Sequence, residues 1–173
     1  MQNAVNVAVK SQVGPKDKAI GAMALVEPGT GKVRALGQSR SMGKEKGESY
    51  INYAVPTKYG DSNGFQAGST FKMFTAAAAI EDGISTGRRY SSPQTMSFAT
   101  GAFKDCDGNG SSPWQGLKNS TGSGSFDMVR ALRQSVNTYF AQLEKEVGLC
   151  KTVKMAKKMG IPVVEPLHRL GTV

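Results

Sequence analysis

Phe65-Gln66-Ala67-Gly68-Ser69-Thr70-Phe71-Lys72, followed directly by Met73-Phe74-Thr75-Ala76-Ala77-Ala78-Ala79-Ile80-Glu81-Asp82-Gly83, decides how this chain is read. The alanine-rich run predicts a helix from Thr70 to Asp82, with Gly83 as its C-terminal stop. Ser69 stands at the mouth of that helix and Lys72 follows three residues later. Three residues is nearly one helical turn, so both side chains share a face. A serine needs a base to become a nucleophile, and an unprotonated lysine is one. The chain has little else to offer as a base, its only histidine being His168 near the C-terminus.

A bare Ser-x-x-Lys pattern is cheap. With 16 serines and 15 lysines, chance alone supplies about 1.4 matches. The second match, Ser41-Met42-Gly43-Lys44, sits among glycines and charges with no helix to hold the pair on one face, and is assigned to a loop. Ser69 and Lys72 differ because a strong helix former follows them. Helix N-termini present free N–H groups and a positive dipole end, which stabilise an oxyanion. The same dipole disfavours a cation in the first turn by ~0.3–1 kcal/mol, so a structural lysine gains nothing there. Bringing its pKa from ~10.4 to near 7–8 requires about 4 kcal/mol, so burial or a neighbouring cation must add to the dipole. The alternative is a capping serine followed by a surface lysine. Ser135-Val136-Asn137 is a second candidate, set between Arg130-Ala131-Leu132-Arg133 and Tyr139-Phe140. A serine and an asparagine where two helical pieces meet can aim a hydroxyl and an amide into a cleft; the alternative is two polar residues on an exposed helical turn.

The bulk composition bounds the remaining classes. At 173 residues, 39% hydrophobic and 20% charged, the chain can make one domain with a real core. No apolar run is long enough to span a bilayer, and Met1-Gln2-Asn3 opens without a signal-peptide pattern. A net charge of +9 favours anionic partners. Basic residues are not interleaved with aromatics on one face, so no nucleic-acid partner is expected. Lys151, Lys154 and Lys158 read as a solvated helix face. Cys106 and Cys150, with one histidine, cannot make an ordinary four-ligand zinc site without carboxylates, and no metal or cofactor is expected. A disulfide and two unpaired thiols both remain open. Gly29-Thr30-Gly31-Lys32 fails as a phosphate loop because Val26 stands where the first glycine belongs. The run from Asp105 fails as a calcium loop because its twelfth position is Gly116.

Along the chain, Val5, Val9 and Val13 predict a short amphipathic helix over 2–13. Residues 19–38 predict a β-hairpin turning at Glu27-Pro28-Gly29-Thr30-Gly31. Residues 39–64 read as loop with a short extended piece, and 84–125 as turn-rich with few apolar residues. Residues 126–160 read as helical, with Phe126–Val147 broken near Gln134-Ser135 and a further helix from Cys150 to Met159.

Taken in order, these stretches resemble the transpeptidase domain of the penicillin-binding proteins. Gly21–Leu36 looks like the family's first two strands, Gln66–Lys72 like its nucleophile motif and Ser135-Val136-Asn137 like its second motif, a likeness spanning roughly residues 18–160. The resemblance implies a mixed α and β (α+β) fold of the penicillin-binding-protein/β-lactamase kind: an antiparallel sheet flanked by helices, plus a helical subdomain. It implies that Ser69 is the nucleophile and one oxyanion N–H, Lys72 the general base, Ser135 a proton relay, and Asn137 the group that orients Lys72 and the substrate amide. The implied activity is D,D-transpeptidation of peptidoglycan stem peptides in cell-wall biogenesis and the maintenance of cell shape, with β-lactams acylating Ser69. A serine β-lactamase or β-lactam sensor shares Ser69 and Lys72, and a non-catalytic interaction module is the reading from another class.

One departure from the family is large. No Lys-Thr-Gly or Lys-Ser-Gly occurs, Lys151-Thr152 being followed by Val153. The expectation is therefore the N-terminal portion of a transpeptidase domain, incomplete in this chain and inactive alone. A second chain or a C-terminal segment would carry the third motif and complete the sheet. An extracytoplasmic location follows from the resemblance, with membrane association only through an anchor outside these residues.

Overall fold

A computed structural model describes residues 1–161; His168 lies outside them. The chain divides into two compact units, residues 1–66 and those from 67 onward.

In the first unit, helix α1 (Gln2–Gln12) lies against strands β1 (Ala22–Val26) and β2 (Val33–Gln38), which pair antiparallel. Val5 and Val9 on one face of α1 are buried against Ala35. Gly37 permits the close approach: a Cβ there would stand 2.6 Å from Val5 Cγ1. Gln2 grips the outer edge of β2 with both ends of its amide. Its Nε2 donates to the Leu36 carbonyl at 2.6 Å, and its Oε1 accepts from the Leu36 N–H at 3.2 Å. The other surfaces of the hairpin stay open, with Met23, Leu25, Val26 and Val33 all exposed. Residues 39–64 hold more than one extended piece: β3 (Ser41–Met42) pairs in parallel with β4 (Glu48–Ser49), and α2 (Thr57–Gly60) is a single turn.

The second unit is built on helices α3 (Lys72–Glu81), α5 (Asn137–Val147) and α6 (Leu149–Lys158), with the short α4 (Met128–Arg133) before α5. Tyr139, Phe140 and Leu143 form one fully buried stripe of α5, packed with Ala76, Ala78 and Ala79 of α3 and Met155 of α6. The alanines of α3 thus serve close helix packing as well as propensity. Lys151, Lys154 and Lys158 line the exposed face of α6, where Lys151 pairs with Asp82 at 2.7 Å and Lys158 with Glu81. Met159, apolar and past the end of α6, is 56% exposed.

Residues 84–125 differ from the turn-rich reading. They contain β5 (Tyr90–Ser92), β6 (Thr95–Phe98), β7 (Trp114–Lys118) and β8 (Gly124–Phe126), with β5 paired to β8 and β6 to β7, both antiparallel. These strands are short and half-buried, and serine, threonine and glycine occupy many of their positions, so no alternation marks them in sequence. Phe126 belongs to β8 rather than to a helix. The helix begins at Met128 because Asp127 caps it, its Oδ1 accepting from the Arg130 N–H at 2.8 Å. A second small core gathers Phe98, Phe103, Leu117 and Ala141, with Trp114 beside them. Asp105, first of the calcium-like run, accepts the N–H groups of Asp107 and Asn109 in its own turn. Cys106 and Cys150 form a disulfide, which ties the β6–β7 loop to the start of α6 across 44 residues.

Closing a loop of that length removes enough unfolded-state entropy to contribute about 3–4 kcal/mol. The double replacement Cys106→Ser, Cys150→Ser is expected to lower unfolding free energy by that amount in urea titration. Burial also pushes the Glu144 carboxyl of α5 up to about 7. The folded chain therefore holds that proton to higher pH than the unfolded chain, whose reference value is 4.5. Stability falls as pH rises between those values and stays lowered above them, by roughly 3 kcal/mol. Glu144→Gln is expected to flatten this dependence and to exceed the parent in stability at pH 8, measured by urea midpoints across pH 5–8.

Candidate active site

Ser69 lies in a 3₁₀ turn (Gly68–Phe71) and Lys72 begins α3 immediately after it. The helix is therefore not regular from Thr70; the tighter turn carries the serine and the α-helix starts at the lysine. Ser69 is exposed, whereas Lys72 is 2% exposed, its stem sunk between α3 and α5 with Nζ 5.8 Å from the centre of the Phe140 ring. That burial lowers the Lys72 pKa from 10.5 to about 8.

Four oxygens surround the Lys72 amine. Nζ donates to Ser69 Oγ at 3.1 Å, to the Ser135 carbonyl at 2.9 Å, to Ser135 Oγ at 3.0 Å and to Asn137 Oδ1. An ammonium has three protons, so the four acceptors cannot all be filled at once. Two of them can only accept: the Ser135 carbonyl and Asn137 Oδ1. The Asn137 amide is held that way round because its Nδ2 donates to the Lys118 carbonyl at 2.8 Å. The two hydroxyls can accept or donate. A neutral Lys72 can therefore give its two protons to the fixed acceptors and turn its one lone pair towards the hydroxyl of either Ser69 or Ser135.

Ser135 reaches the amine through a strained backbone. Its φ is 52°, in the left-handed region that non-glycine residues avoid. The cause is the way α4 ends. The Val136 N–H bonds back to the Ala131 carbonyl at 2.9 Å and the Ser135 N–H to the Leu132 carbonyl at 3.1 Å. This is a Schellman stop, sealed by Val136 and Ala131 in the core. Helix α3 ends in the same motif with Gly83, φ 81°, in the corresponding place. At the end of α4 a serine occupies the glycine position, and the turn delivers both its hydroxyl and its carbonyl to Lys72.

The structure thus brings Ser69, Lys72, Ser135 and Asn137 together, while Ser41 lies in β3 of the first unit with its hydroxyl beside Lys10. Sequence reasoning missed the Lys118 carbonyl that orients Asn137, since a backbone group leaves no residue-type signal. It also missed the Ser135 carbonyl as a partner of Lys72.

Residues 21–166 match the family model of the penicillin binding protein transpeptidase domain. This chain belongs to that transpeptidase family. No curated protein matches the chain. Among solved structures, the transpeptidase fold of this chain is similar to penicillin-binding protein 3 of Mycobacterium tuberculosis, in its apo form and in its complex with ampicillin. In both the TM-score is 0.61 at 21% identity, over 92% of this chain and 34% of that one. It is also similar to the D,D-transpeptidase domain of a peptidoglycan glycosyltransferase from Eggerthella lenta, with a TM-score of 0.55 at 22% identity, over 92% of this chain and 37% of that one. The chain therefore spans about a third of the length of these relatives. Among the described residues, no helix is long and apolar enough to cross a membrane, and no group of potential metal-ligating side chains gathers.

Because Ser135 holds a left-handed backbone at a cost of about 1 kcal/mol, Ser135→Gly is expected to be more stable than Ser135→Ala by that amount. Both variants lose the hydroxyl, so their difference in urea denaturation reads the backbone alone.

Proposed function

We propose that this chain carries the acyl-transfer half of a peptidoglycan D,D-transpeptidase site. The observation that supports it most directly is the buried Lys72 amine, with Ser69 Oγ, Ser135 Oγ and Asn137 Oδ1 all within hydrogen-bonding reach. Lys72, unprotonated in about a tenth of molecules at pH 7, takes the proton of Ser69. The Ser69 oxygen forms a bond to the carbonyl carbon of the penultimate D-alanine. The negative charge on the carbonyl oxygen is met by the backbone N–H of Ser69 at the helix start. As the C–N bond breaks, the proton passes from Lys72 through the Ser135 hydroxyl to the departing D-alanine amine. An amine of a second stem peptide then attacks the ester carbonyl, losing a proton by the same route reversed, and Ser69 is released. Asn137 holds Lys72 in register and its side-chain amide contacts the substrate peptide.

A β-lactam presents a strained amide to the same hydroxyl and leaves an acyl group on Ser69. A second oxyanion donor and a grip on the substrate carboxylate are expected from a Lys-Thr-Gly or Lys-Ser-Gly segment, which these residues do not contain. Loss of one oxyanion donor costs ~10²–10³ in rate, so residues 1–173 alone are expected to turn over stem peptides at least that much more slowly. The reaction takes place outside the cytoplasmic membrane, where peptidoglycan lies.

Incubating the intact parent protein with labelled penicillin is expected to give an adduct on Ser69, read by mass spectrometry. Ser69→Ala should abolish it, Ser41→Ala should keep it, and Lys72→Ala should slow it by ~10²–10⁴. The rate should rise with pH, reach half its maximum near 8, where half of the buried amine has lost its proton, and level off about one pH unit higher. A long-lived adduct fits a transpeptidase, and rapid release of the acyl group would identify a β-lactamase instead. No adduct in the parent would sink the enzymatic reading.

A further inference from the structure

Helix α5 starts without a cap of its own. Its N-cap residue is Val136, which has no side-chain oxygen to accept a helix N–H. The neighbouring polar residues, Ser135 and Asn137, are turned to Lys72 instead. The missing acceptor comes from Asn119, just beyond the end of β7. Its Oδ1 accepts from the Thr138 N–H at 2.9 Å, satisfying one of the orphan donors of the helix start.

Asn119 is 4% exposed and Thr138 fully buried, so these bonds form away from water. The Asn119 Nδ2, with two protons to give, has the carbonyls of Pro93 and Gly122 and Thr138 Oγ1 within hydrogen-bonding reach, at 3.0, 2.8 and 2.9 Å. Its backbone N–H and carbonyl are both held by Gln94. Asn119 is thus fixed at every polar atom. Lys118 precedes it, and the Lys118 carbonyl is the acceptor that decides which end of the Asn137 amide faces Lys72. Asn137 precedes Thr138. The residues next to the two partners of the Lys118–Asn137 bond, Asn119 and Thr138, are therefore tied to each other through the Asn119 side chain.

We propose that Asn119 is a positioning residue of the acyl-transfer site: by capping α5 from outside the helix and anchoring Lys118, it keeps the Asn137 carbonyl oxygen, rather than its NH₂, on Lys72. This rests on the proposed role of Lys72 as base. An Asn137 amide freed from Lys118 can rotate and turn its NH₂ on the amine. Lys72 would then lose an acceptor that favours its ammonium form, and its pKa would fall further. A purely structural cap would, on removal, reduce the amount of folded protein without moving that value.

The test uses Asn119→Ala in the intact parent, with Asp127→Ala as the control because it removes the cap of α4 without touching Asn137. Acylation by labelled penicillin is expected to slow by 10- to 100-fold in Asn119→Ala, and its pH limb to move below that of the parent. In Asp127→Ala the limb should stay in place. If Asn119→Ala does not fold, Thr138→Val, which keeps the buried volume and removes the hydroxyl bonded to Asn119, should move the limb in the same direction to a smaller degree. An unmoved limb with a rate within twofold of the parent overturns the proposal. A crystal structure of the variant supplies a readout independent of activity: the Asn137–Lys118 bond is expected to be lost, and its persistence at 2.8 Å overturns the proposal. If the parent itself forms no adduct with penicillin, the functional reading fails, and the crystal structure alone still decides whether Asn119 sets the Asn137 amide.

Discussion

An amine buried at the start of a helix is the constraint on which the second unit of this protein turns. A lysine at that position meets two penalties, the helix dipole and the loss of water, and both favour its neutral form. It can be kept there only if oxygens close around it, and the fold supplies four. Two belong to Ser135, one to Asn137 and one to Ser69, so the amine draws the end of α4, the start of α5 and the turn before α3 to one point. The tight packing of α3 on α5 follows from the same requirement. The alanines of α3 let it approach the Tyr139–Phe140–Leu143 stripe closely enough for Nζ to reach the break between α4 and α5.

At that break the hydrogen bonding of Lys72 and the backbone preference of one residue pull in opposite directions. A helix stop of this kind is satisfied most cheaply by glycine, as at Gly83. The serine at 135 is costlier in backbone energy and delivers a hydroxyl that glycine lacks. Strain of this sort persists where the surroundings over-determine the conformation. Here the surroundings are the two backbone hydrogen bonds of the Schellman stop and the buried Val136 and Ala131. With Ser135 and Asn137 both facing the amine, the start of α5 has no local residue left to cap it, and Asn119 supplies the acceptor from a distant segment.

The first unit shows a different kind of dependence. Its hairpin buries one face against α1, and Gln2 covers part of the β2 edge, yet four large apolar side chains of the hairpin stay open. Two strands with one covered face are marginal by themselves.

By itself the sequence determined the elements whose signal is local. The Val5–Val9 spacing marked α1, the Pro-Gly-Thr-Gly turn marked the hairpin, and the alanine run closed by Gly83 marked α3. Ser69 and Lys72 were legible as a pair because three residues on a helix always share a face, and the interruption at Gln134-Ser135 because the apolar spacing falters there. What only the tertiary structure decided depends on groups far apart in the chain. The strands of 84–125 pair across long separations with little alternation to reveal them. Lys72 meets Ser135 and Asn137 across more than sixty residues. The backbone carbonyls of Lys118 and Ser135, and the cap from Asn119, leave no mark of residue type or period, because a hydrogen bond between remote segments exists only once packing has brought them within 3 Å of each other.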